Sequence, residues 1–161
     1  MDNSLNISFK ADWDEIERVR KKGSNFLKNH GFSHDAIDSL IMVISELIEN
    51  SIKYGNFKPP RSKVQVILYI SKNLVTIEVN NPVDESTSHD LRRLDRTIQW
   101  IRGYQDSFEA YIERMKEISK KPLKDEESGL GLVRIAYEGK AILDFFVRDD
   151  NMLNVSAVTR I

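Results

Sequence analysis

The chain contains no cysteine. Disulfides, thiolate nucleophiles and cysteine-ligated metals are therefore outside its chemistry. It also lacks any apolar run near the ~18 residues needed to span a bilayer. The opening stretch, 1–10, has no basic region leading into an apolar one, so a secretory signal is not expected. Charge of one sign is missing too: 24 Lys plus Arg face 25 Asp plus Glu, for a formal net charge of −1. Such a balance gives no general pull toward nucleic acid or an anionic membrane. Linker composition is scarce, with four prolines and seven glycines in 161 residues and no Pro/Gly/Ser-rich stretch. A single cytoplasmic domain over 1–161, with no nucleic-acid or membrane partner, is the expectation.

Apolar residues make up 40% of the chain, enough for one core, and their spacing outlines the elements. Asn6 to Ala11 reads as a short strand. Asp12 looks like a helix N-cap with Glu15 as its capping-box partner, and Trp13, Ile16, Val19, Phe26 and Leu27 continue at helical spacing. Ser33 caps a second helix, in which Ile37, Leu40, Ile41, Ile44, Leu47, Ile48 and Ser51 form one stripe ending near Gly55. After Lys58–Pro59–Pro60–Arg61, alternating Val64, Val66 and Leu68, then Val75, Ile77 and Val79, predict a hairpin that Asn81–Pro82 should terminate. A helical insert over 88–120 follows, interrupted at Gly103. A short helix over 131–139 and a hairpin of strands over 141–147 and 152–159 close the series. The order predicts an α+β two-layer sandwich, a mostly antiparallel sheet with helices on one face.

Three short stretches carry candidate chemistry. In the second helix, Glu46 and Asn50 are one turn apart, and with Lys53 they lie away from the Ile/Leu stripe. An amide oxygen suits Mg²⁺, a carboxylate one turn away suits a general base, and a lysine suits a phosphate. The same pattern also describes the solvated face of any amphipathic helix. The second stretch is Ser128–Gly129–Leu130–Gly131, directly before a helix. There two glycines permit close backbone approach, and the helix start offers free N–H groups to an anion; an ordinary loop reads the same way. The third is Asn81–Pro82–Val83–Asp84, at the end of a strand, which is either the edge of a site or a plain terminator.

Taken in order, with a helical segment between the strand end and the glycines, these stretches resemble the Bergerat-fold (GHKL, histidine-kinase-like) ATPases. The similarity is greatest to the small anti-sigma-factor serine/threonine kinases. The resemblance implies ATP and Mg²⁺ as cofactors, Glu46 as the catalytic carboxylate and Asn50 as the metal ligand. It further implies that Lys53, Ser128, Gly129, Leu130 and Gly131 bind the nucleotide, under a lid formed by 88–120. The family's first glycine box reads Asp-x-Gly-x-Gly, whereas here Asn81 takes the aspartate's place and both glycines are missing. A neutral amide can still accept a hydrogen bond from adenine, or turn its donor end toward another base. Weaker binding, altered base preference and loss of binding all remain open. The implied partners are a nucleotide and a small regulatory protein of the anti-sigma-factor antagonist type, with a homodimer contact through the insert as a further option. The competing reading is a non-enzymatic interaction module with a decayed nucleotide site.

Overall fold

A computed structural model describes residues 2–120 and 129–161. The fold grows from five strands, β1 (Ser4–Lys10), β2 (Lys63–Ser71), β3 (Leu74–Pro82), β4 (Ala141–Val147) and β5 (Met152–Arg160). They form one sheet in the order β1-β2-β3-β5-β4, and every pairing is antiparallel. Alternation decides which face is covered. Val64, Val66 and Leu68 of β2 and Val75, Ile77 and Val79 of β3 are all buried, together with Leu153, Val155 and Ala157 of β5. Their neighbours Tyr69, Ile142 and Phe146 remain 47%, 68% and 54% exposed. The helices therefore lie on one face only, as the residue pattern predicts.

Helix α1 (Glu15–Asn29) and α2 (His34–Tyr54) pack on that face, joined by α5 (Leu130–Tyr137). The predicted stripe of α2 is the centre of the core: Leu40, Ile41, Ile44, Leu47 and Ile48 are each at most 5% exposed. Ser33 caps the helix as expected, its hydroxyl accepting from the Ala36 N–H at 3.3 Å. The expected cap of α1 is different. Asp12 accepts from the Asp14 N–H at 3.0 Å and shapes the turn ahead of the helix, while Glu15 pairs with Arg18 at 2.5 Å instead of reaching back. Trp13 consequently stands outside α1, half exposed.

The insert is helical, as α3 (Ser88–Arg102) and α4 (Ser107–Lys120), with the break at Gly103. A 3-10 turn at Glu85–Thr87 joins it to β3. On the uncovered face of the sheet, side-chain amides form a chain across four strands. Gln65 donates to Asn6 at 3.1 Å, Asn80 to Gln65 at 3.3 Å, and Asn154 to Asn80 at 2.9 Å.

The weight carried by α2 gives a stability prediction. Ile48→Ala removes a fully buried side chain from between helix and sheet and should cost about 2–5 kcal/mol. Ile142→Ala, on the open face, should cost under about 0.5 kcal/mol. Urea denaturation of both variants checks the contrast.

Candidate functional site

The face of α2 opposite the sheet is covered over most of its length, with Lys53 exposed near its end. Val43, Glu46, Asn50 and Lys53 recur at spacings of three and four, so they share one side of the helix. Val43 is fully buried, and the Glu46 side chain is only 18% exposed. The cover is α5, which packs against α2, and α3, which reaches across the gap. Between them lies a cavity of about 100 Å³. Glu46, Asn50 and Lys53 line it from α2, Asn81 from β3, and Gly129, Leu130 and Gly131 from the start of α5. The structure thus brings together all the sequence-predicted residues it describes; Ser128 lies outside the described residues.

The glycines have separate reasons to be glycine. Gly129 has φ +62°, the left-handed conformation that favours glycine, and it opens α5. Gly131 has no room for a side chain, because a Cβ there would overlap the Glu46 carboxylate. Glu46 therefore nests against the first turn of α5, one oxygen toward Gly131 and the other accepting from Arg134 at 2.9 Å. Arg134 continues to Glu138, donating twice to one carboxylate oxygen at 3.1 and 3.2 Å. The Glu46 carboxyl is raised above its ordinary value, mainly by burial and next by the charge of Glu49, against the opposing pull of Arg134 and Lys53.

The third predicted stretch ends the strand as expected, but at Pro82, two residues later than the alternation suggests. Asn81 and Pro82 pair with Leu153 and Met152, and the Val83 N–H donates to Asn151 O at 3.0 Å. Proline fits here because its neighbours use the carbonyl: Pro82 O accepts from the Asn56 N–H at 2.9 Å and from the Asn81 amide at 3.1 Å. That last bond engages one of the two amide N–H groups of Asn81 and leaves its carbonyl oxygen out of the contact. Where a glycine box would allow backbone approach, the chain makes a capped turn. Asp84 accepts from Ser86 N–H at 2.9 Å and from the Asn56 side chain, while Thr87 and Asp84 bond reciprocally. The hydrogen bonds from Ser86 and then Asn56 hold the Asp84 carboxyl below the usual carboxylate range.

Three lining or bordering residues escape the sequence reading. Ser51 belongs to the apolar stripe by spacing, yet it lines the cavity, and its hydroxyl is buried without a hydrogen-bond partner among the described residues. Arg93 of α3 stacks over Tyr54 at 4.8 Å and lines the opposite wall. Arg134 carried a signal, as the one charged residue in the otherwise apolar run of α5. The insert also answers an open question, since its Ile98 and Ile101 are buried in the core. Thr97 lies against Gly129, so α3 roofs the cavity directly.

No protein-family model matches the chain, and no curated protein matches it. Solved structures do. A chain in the crystal structure of the SiaB–SiaC complex from Pseudomonas aeruginosa superimposes with a TM-score of 0.72 at 18% identity, over 96% of this chain and 88% of that one. The RsbU and RsbW domains of Rv1364c from Mycobacterium tuberculosis match with a TM-score of 0.56 at 12% identity. That match spans 98% of this chain and 32% of the longer protein. With its antiparallel sheet, its helices on one face and its cavity between α2 and α5, the chain has the Bergerat, histidine-kinase-like ATPase fold that its motifs resemble.

Proposed function

We propose that the chain is an ATP-binding regulatory protein of the anti-sigma-factor serine/threonine kinase type, acting on a small protein partner. One observation carries the reading: Glu46, Asn50, Asn81 and the Gly129–Gly131 turn, far apart in sequence, line a single cavity. The donors suit the nucleotide. Gly129 and Gly131 leave the start of α5 without side chains, Ser51 offers an unpartnered hydroxyl, and Asn81 has its carbonyl end free of the bond to Pro82. Asn50 would hold Mg²⁺ through its amide oxygen, and the N–H groups opening α5 would meet the phosphates. Asn81 would accept from an adenine amino group, which favours adenine over guanine. Bound Mg–ATP would supply the phosphoryl group. Glu46 would take the proton from a serine or threonine hydroxyl of the partner. A partner protein is in keeping with the SiaB–SiaC complex, a structure of the same fold.

The competing reading, an interaction module with a decayed nucleotide site, has one observation in its favour. Cofactor pockets run to about 300–1,000 Å³, while this cavity is about 100 Å³ because Leu91, Leu94 and Thr97 of α3 occupy its roof. The kinase reading therefore requires α3 to lift when the nucleotide enters.

Three measurements test these readings. Calorimetry should show Mg²⁺-dependent binding of ATP in preference to GTP, lost in Asn50→Ala. Glu46→Gln should keep binding while slowing phosphoryl transfer to the partner by ~10²-fold or more. Absence of heat at millimolar ATP would establish the interaction module instead. In a Trp13→Phe background, Trp100 on α3 should report the lifting of the insert: Mg–ATP should change its fluorescence, and an unchanged spectrum at saturating ATP would mean that α3 stays in place.

A further inference from the structure

Arg134 has no place in the motifs that suggested the site, yet among the described residues it makes the one ion pair that joins α5 to α2. From α5 its Nη1 donates to Glu46 Oε1 on α2 at 2.9 Å. The other side of the guanidinium is anchored on Glu138, one turn further along α5, through Nε at 3.2 Å and Nη2 at 3.1 Å. A planar fork held this way has little freedom to turn, so the direction of its Nη1 N–H groups is set by α5 itself. The second oxygen of Glu46 lies against Gly131, in the space a Cβ there would take. One oxygen is thereby held by a hydrogen bond from α5 and the other rests beside its first turn, which borders the cavity.

We propose that Arg134 is a positioning residue for Glu46, fixing the direction of its carboxylate and stabilising its charged form. The proposal rests on the reading of Glu46 as a base. Its necessity comes from the surroundings. Glu46 is largely buried and has Glu49 beside it, and both conditions favour the protonated acid, which cannot accept a proton. Among the described residues the charged groups acting on it are Glu49 and Lys53 from α2, Arg134 from α5 and Glu138 at the cap of α5. On the far wall α3 brings Asp90 and Arg93, which pair with each other at 3.3 Å. Of the cations, Arg134 is the one in direct contact with the carboxylate, while Lys53 is exposed to solvent. Arg134 offsets burial without placing a proton donor of accessible acidity beside the base, since a guanidinium stays charged across the working pH range.

The test is the titration of Glu46 itself, read from its side-chain carboxyl resonance in the ¹³C-labelled protein and assigned with Glu46→Gln. Arg134→Gln should move the midpoint upward by about one pH unit or more. The acid limb of the pH profile for phosphoryl transfer should move with it, and Arg134→Lys should restore most of the difference. A purely structural role would lower the melting temperature of Arg134→Gln and leave the midpoint in place, which would overturn the proposal. Should Arg134→Gln not fold, the wild-type protein decides. The Arg134 guanidinium resonances should then shift at the Glu46 midpoint, with that step absent in Glu46→Gln; a flat response overturns the proposal. A displaced midpoint in a protein that transfers no phosphoryl group would remove the base reading and keep the contact. An unmoved midpoint in an active kinase would do the reverse.

Discussion

Helix α2 has to satisfy two neighbours at once, and the rest of the molecule follows from that. Its Leu/Ile stripe is pressed on β2 and β3, where Leu40, Ile44 and Ile48 find the valines of the sheet. Its opposite side cannot then be left to water, because Val43 sits there fully buried. Only a second helix laid over that side resolves the conflict, and α5 does so with Leu132, Val133, Ile135 and Ala136. Glu46 is caught in the seam. A carboxylate in such a place costs desolvation unless a cation meets it, and Arg134 is that cation. Burial of the helix and placement of the polar group are one arrangement seen from two sides.

The cavity is a by-product of the same geometry. Where α5 begins, its first turn has glycines at 129 and 131, so the two helices diverge less through side-chain bulk than through the direction of the chain at Gly129. The gap left there is bordered by β3, whose last residues bring Asn81 to it, and closed by α3. Two cations of the insert are engaged with aromatic rings, Arg93 on Tyr54 at 4.8 Å and Arg114 on Trp100 at 4.5 Å. Each contact contributes on the order of 0.5–2 kcal/mol. That is enough to set a resting position for the insert and little enough to be exchanged for other contacts.

Periodicity carried most of the fold. Two-residue alternation in β2, β3 and β5 and the stripe of α2 are strong signals because the buried side is mostly aliphatic, with Ser51, Asn81 and Thr159 as its polar exceptions. Element ends were less legible. Asn81–Pro82 reads as a stop, but strand pairing with Met152 and Leu153 continues through it, because a proline without an N–H is still able to accept. The cap of α1 was misplaced for a related reason: Glu15 was free to choose Arg18 over the backbone behind it. At the site, Glu46, Asn50 and the glycines were visible as local patterns. Ser51 was hidden by its membership of the apolar stripe. Arg134 was hidden because its partner is 88 positions away in sequence, a separation no local pattern reports.

The amide chain across the uncovered face has a meaning for alignment of the strands. Consecutive residues of β3 point to opposite sides, so Asn80 belongs to that chain and Asn81 to the cavity. A slip of one residue between β3 and β5 that carried Asn80 into the place of Asn81 would still present an asparagine to the cavity. The cavity's composition alone would hardly resist such a slip. What resists it is everything that would turn with them: Val75, Ile77 and Val79 would face water, and Asn80 would lose both Gln65 and Asn154. The side of the sheet that touches no helix thus keeps Asn81, on the other side, at its station.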